Sequence, residues 1–97
     1  MANYKLSKQA LKQLTKIVKS DIKTARRIKT ALTSIENEEA LGETLQGYSD
    51  FFKVRVGKYR LIHTRIEGVR IIALIEKRET IYQTFKHLID NSNFLDL

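Results

Sequence analysis

Apolar positions along this chain change their spacing twice, from helical to alternating after Asp50 and back to helical after Glu79. Residues 3–6 have the character of a short strand, and Ser7 stands where a helix cap is wanted. Leu11, Leu14 and Val18, flanked by Ala10 and Ile17, form one apolar face, with Lys8, Lys12, Lys16 and Lys19 mostly off it. Ser20-Asp21 then breaks and recaps the chain. A second helix follows, with Ile22, Ala25, Ile28, Leu32 and Ile35 on its inner face. So short a connection predicts an antiparallel helical hairpin.

Residues 36–50 are acidic, contain Gly42 and Gly47, and read as a loop. Residues 52–56 alternate apolar and basic, and Gly57-Lys58 is a two-residue turn of the Gly-X kind that favours type II′. Residues 59–66 form the returning strand, and Glu67-Gly68 marks another tight turn. Residues 69–76 are nearly all apolar, which predicts a central strand covered on both faces. Thr80 can cap a last helix whose inner face is Ile81, Phe85, Leu88 and Ile89. The predicted order is β-α-α-β-β-β-α. It gives an α+β fold with helices on one face of an antiparallel-rich sheet: an N-terminal hairpin and a C-terminal helix packed on it.

At 97 residues the chain is read as a single domain, 1–97, with no internal repeat or Gly/Ser linker to divide it. It has no cysteine, which excludes disulfides and thiolate metal sites. Nothing approaches the roughly 18 apolar residues a membrane span requires, and the first residues lack the apolar core of a secretory signal. A soluble cytoplasmic protein is expected, without cofactor or metal and without membrane contact.

Charge changes the picture more by its placement than by its total of +7. Residues 1–35 carry nine bases against Asp21 alone, residues 36–50 carry only acids, and residues 51–78 are again basic. Two basic regions separated by an acidic stretch suggest a polyanionic partner touched by more than one element.

The first strand hairpin sharpens this. A two-residue Gly57-Lys58 turn sets Val56 opposite Tyr59, Arg55 opposite Arg60 and Lys53 opposite Ile62. Lys53, Arg55 and Arg60 then project from one face. Like charges set opposite each other destabilise a sheet, and a bound polyanion would supply the missing counter-charge. The plain alternative is an exposed basic face splayed into water. Whether Lys77 or Arg78 joins that face depends on the second turn. A two-residue Glu67-Gly68 turn brings Lys77, whereas a three-residue loop with a bulge at Gly68 brings Arg78. By parity His63 lies on the opposite face, and His87 lies in the last helix, away from Tyr82.

The run Leu45-Gln46-Gly47-Tyr48-Ser49-Asp50-Phe51-Phe52-Lys53-Val54-Arg55-Val56-Gly57-Lys58-Tyr59-Arg60-Leu61-Ile62 closely resembles the RelE/ParE toxin superfamily of type II toxin–antitoxin systems. The resemblance rests on an L-x-G loop, an alternating strand ending in basic residues, and a Y-R-L-I-H run. Lys77-Arg78-Glu79 followed by Tyr82 resembles the basic pair and tyrosine that close the pattern. The likeness extends over nearly the whole chain, including the helical hairpin and element order.

In the RelE branch this implies an endoribonuclease that cuts mRNA in the ribosomal A site, with a catalytic set matching Lys53, Arg55, Arg60, Arg78 and Tyr82. Arg55 stands where some relatives have lysine, which keeps the charge without lysine's capacity to give up a proton. Lys58 and Lys77 are expected to bind RNA. In the implied chemistry the RNA's own 2′-hydroxyl attacks the adjacent phosphate, so no metal is needed. Arg60 and Arg78 would hold the phosphate, Arg55 the backbone, and Lys53 would take part in proton transfer. Tyr82 would stack on a base or accept a proton. The resemblance also implies a cognate antitoxin, mRNA and ribosomal RNA as partners, with promoter DNA reached only through the antitoxin. Two alternatives remain: a ParE-like inhibitor of DNA gyrase, and a non-enzymatic nucleic-acid-binding domain that binds in a salt-dependent way without forming product.

Overall fold

A computed structural model describes residues 4–90. Asn3, expected to begin the first strand, lies outside the described residues. The elements are β1 (Tyr4–Leu6), α1 (Lys8–Ser20), α2 (Ile22–Glu36), β2 (Glu43–Leu45), β3 (Tyr48–Val56), β4 (Tyr59–Ile66), β5 (Val69–Lys77) and α3 (Arg78–Asp90). They build one five-stranded sheet in the order β1-β5-β4-β3-β2. The sheet is mixed: β1 runs parallel to β5, and the other neighbours are antiparallel.

Ser7 caps α1 by accepting from the Ala10 amide at 3.0 Å, and its hydroxyl donates to the Ala73 carbonyl at 2.6 Å. One buried side chain therefore starts a helix and anchors it to the central strand. Asp21 alone separates α1 from α2. Its carboxylate accepts from the Thr24 hydroxyl at 2.6 Å and the Thr24 amide at 3.1 Å, which holds it below its ordinary protonation range. The two helices pack on each other and on one face of the sheet.

The expected α+β fold is present, with three corrections. First, the helices cover both faces rather than one. Ile28, Leu32 and Ile35 of α2 pack with Val56, Leu61, Ile72 and Ile75, whereas Ile81 and Phe85 of α3 pack with Phe51, Ile62 and Leu74 on the other side. A central strand as apolar as β5 needs cover on both sides, so the third helix belongs opposite the hairpin. Second, the supposed loop 36–50 contains β2, and β3 begins at Tyr48. Third, α3 starts at Arg78, two residues before Thr80. The Thr80 hydroxyl reaches back to Glu76 Oε1 at 2.8 Å and does not cap the helix.

The inward face of α1 is also narrower than its apolar stripe. Ala10 and Ile17 are buried, but Leu11 and Val18 are exposed, as is Ile22 at the start of α2. Among the described residues no helix is long and apolar enough to cross a membrane.

Candidate active site

The register of β3 and β4 positions the basic residues. Gly57 turns at φ +60, as the first central residue of a type II′ turn must, and glycine adopts that angle without strain. The pairing that follows is Val56 with Tyr59, Arg55 with Arg60 and Lys53 with Ile62, as the turn predicts. Lys53, Arg55 and Arg60 therefore share the face on which α3 packs.

The second turn resolves the choice between Lys77 and Arg78 in an unexpected way. Ile66 pairs with Val69, so the loop is the two-residue form, with Glu67 and Gly68 both at positive φ. Taken alone that would bring Lys77 to the face of Arg60. However, the register shifts between Ile62 and His63, which pair with Leu74 and Ile72 and leave Ala73 as a bulge. Beyond the bulge Arg60 pairs with Glu76 and Tyr59 with Lys77. Lys77 points away, and Arg78 opens α3 on the side of Arg60. The Arg78 amide donates to the Lys58 carbonyl at 3.1 Å, which ties the start of the helix to the first turn.

The result is a cavity of about 420 Å³ whose walls include Lys53, Arg55, Arg60, Arg78 and Tyr82. These are all five residues of the expected catalytic set. Lys58 and Lys77, the two expected RNA-binding lysines, lie outside it. Arg60 Nη1 donates to the Gly57 and Tyr59 carbonyls at 3.1 and 3.0 Å, which leaves Nε and Nη2 for the cavity. Lys53 Nζ lies 5.7 Å from the centre of the Tyr82 ring, within cation–π range. Arg55 and Arg78 are exposed and, among the described residues, have no ion-pair partner.

One lining residue went unread in the sequence. Glu43 enters the cavity from β2, with Oε2 3.9 Å from Lys53 Nζ. In sequence it is one of the acids of residues 36–50, which read as a loop. Of the three residues of β2 only Leu45 is buried, so the stretch carries no alternation that marks it as a strand. Four cations and one carboxylate thus line a single concavity, and the N-terminal end of α3 adds its partial positive charge. Among the described residues no three carboxylate or imidazole groups converge as a metal ion would require.

The wall that carries Glu43 is held from behind. Glu38 Oε1 meets Arg65 Nη1 and the buried Arg70 Nη2, each at 3.2 Å. His63, fully buried on the face opposite Arg60, donates from Nε2 to the Leu41 carbonyl at 2.9 Å and stacks on Phe52. Burial pushes the His63 imidazole down to about 4, so the ring is neutral near pH 7. Gly42 then passes against the backbone of β3 at φ +81, where a methyl group would run into the Lys53 carbonyl and the Val54 side chain. Gly42→Ala is expected to lower stability by about 1–3 kcal/mol, read by thermal unfolding. A wild-type melting temperature would show that the wall is not clamped there.

A mixed sheet flanked by a helical hairpin and a third helix, with this basic cavity at one end of its central strands, is the architecture of a RelE/ParE-superfamily toxin. The family model described as "ParE toxin of type II toxin-antitoxin system, parDE" matches residues 4–82. The chain belongs to that family. Among solved structures it is similar to YoeB of Staphylococcus aureus, determined as a dimer, with 24% sequence identity and a TM-score of 0.68. That match covers 79% of this chain and 97% of the other. No curated protein matches it.

Proposed function

We propose that this toxin is an endoribonuclease that cuts mRNA on the ribosome by transesterification. The observation that carries the reading is the gathering of Lys53, Arg60, Arg78, Tyr82 and Glu43 around one cavity. In the proposed reaction the 2′-oxygen attacks the adjacent phosphorus and the bond to the 5′-oxygen breaks. The products are a 2′,3′-cyclic phosphate and a 5′-hydroxyl. Arg60 and Arg78 hold the non-bridging oxygens as charge grows on them, and Arg55 holds the neighbouring backbone. Glu43 is the carboxylate within reach to accept the 2′-hydroxyl proton, and Lys53 beside it supplies a proton to the leaving 5′-oxygen.

The test is a cell-free bacterial translation reaction with mRNA 5′ ends mapped by primer extension, run beside the same mRNA without ribosomes. Cuts that need translating ribosomes support the reading, and intact mRNA with folded protein rejects it. Glu43→Gln should slow cleavage about a hundredfold in this assay. An unchanged rate would remove Glu43 from the reaction.

The family description itself favours a second reading, inhibition of DNA gyrase without RNA cleavage. A gyrase supercoiling assay separates the two.

Membership of a toxin–antitoxin family implies a cognate antitoxin. A groove on the hairpin suits one: Leu14, Val18, Ile22 and Ala25 line an apolar space of about 330 Å³, with Arg26 and Lys29 also on its lining. An amphipathic antitoxin segment with acidic flanks would complement both its surface and its charge.

A further inference from the structure

A second cavity, of about 280 Å³, lies beside the basic one and shares Lys53 and Tyr82 with it as a common wall. Its other walls are chemically different. Tyr48 and Phe85 contribute aromatic surface, and Gln46 a carboxamide, with Lys86 also on the lining. The Tyr48 ring meets Phe85 edge to face, with centroids 5.1 Å apart at 85°. Phe85 is buried and braced in turn by Phe51 at 5.0 Å. Tyr48 is therefore fixed in orientation although 37% exposed, and Tyr82 across the cavity is 40% exposed. Exposed aromatic rings are the surfaces on which unpaired bases stack, and a ring packed on a buried neighbour gives up less freedom in doing so. A primary amide is the side chain that can both donate to and accept from a base edge.

We propose that this second cavity is a nucleobase subsite, with Tyr48 as its stacking platform and Gln46 reading the edge of the base. The inference rests on the RNA-cleavage reading and extends it to sequence preference. Because the two cavities share a wall, one strand can place a phosphate among Arg60 and Arg78 and its neighbouring base beside Tyr48. The turn between β2 and β3 thereby sets which base stands next to the cut. A peptide segment of a partner protein is the competing occupant.

The experiment has two arms. In the first, cut sites are mapped by primer extension on translated mRNA for wild type, Tyr48→Ala and Gln46→Ala. Tyr48→Ala should weaken cleavage about tenfold, and Gln46→Ala should change which base flanks the cut. In the second, a short RNA carrying a 2′-deoxy sugar at the cut position and the fluorescent base 2-aminopurine beside it is titrated into each protein. Stacking should quench the fluorophore with wild type, Tyr48→Ala should lose the quench, and Tyr48→Phe should recover it. Thermal unfolding verifies that the variants fold. Wild type that neither cuts nor binds RNA overturns the function itself. Wild type that cuts, with unchanged cut sites and quenching in Tyr48→Ala and Gln46→Ala, overturns the subsite alone and leaves the cavity to a partner protein.

Discussion

Arg60→Ala is expected to reduce mRNA cleavage about a hundredfold in a protein that still folds. The side chain is held by one nitrogen, Nη1, on the carbonyls of Gly57 and Tyr59. The remaining edge of the guanidinium is thus aimed before substrate arrives, and such preorganised donors contribute most when charge develops on a phosphate. Alanine removes both the charge and the fork. The two turn carbonyls it abandons are part-buried, so the melting temperature is measured beside the rate. Arg60→Lys should recover little, because a point charge cannot hold the turn and the phosphate at once. Single-turnover cleavage with the melting temperature measured alongside decides the matter. A folded Arg60→Ala protein that cuts at near-normal rate removes Arg60 from the chemistry, and Arg78→Ala is judged by the same standard.

The second large effect concerns acid. Burial lowers the His63 pKa from 6.5 to about 4, with Arg70 nearby pushing the same way against the Leu41 carbonyl and Glu38. The folded protein therefore binds fewer protons at His63 than the unfolded chain does between these values. Stability from this group is full above about pH 6.5 and is lost as pH falls toward 4, by about 3 kcal/mol in all. The structural cause is visible. Nε2 already donates to Leu41, and Nδ1, which would take the added proton, is buried with no partner among the described residues. Denaturant unfolding from pH 7 to 4 should show this slope. His63→Gln, which can keep a donor to Leu41 without titrating, should flatten it. Equal slopes in both proteins would assign the acid sensitivity elsewhere.

How much of this was legible in the sequence differs from element to element. The β3–β4 register was, because Gly57-Lys58 fixes both turn type and parity, and three of the five expected site residues follow from it. The position of His63 opposite Arg60 follows from the same alternation. The Ala73 bulge was not legible. Residues 71–75 are all buried, so neither face of that stretch is marked polar, and a one-residue slip leaves no trace in the pattern. β2 was missed because two of its three residues are exposed at the sheet edge and show no alternation. Leu11, Val18 and Ile22 obey helical spacing yet face water, since periodicity marks an apolar stripe without saying what covers it.

The bulge at Ala73 has a consequence for how relatives of this toxin are compared. It makes the composition of the cavity depend on counting as much as on lettering. Were the same residues paired from the Glu67-Gly68 turn without the bulge, Lys77 would face the cavity and Arg78 would point away; the one extra residue is what turns Arg78 inward. Two toxins could then share the same closing Lys-Arg-Glu motif and present different cations to the substrate. A stretch with no polar marker of its own thus decides which of two adjacent cations meets the substrate.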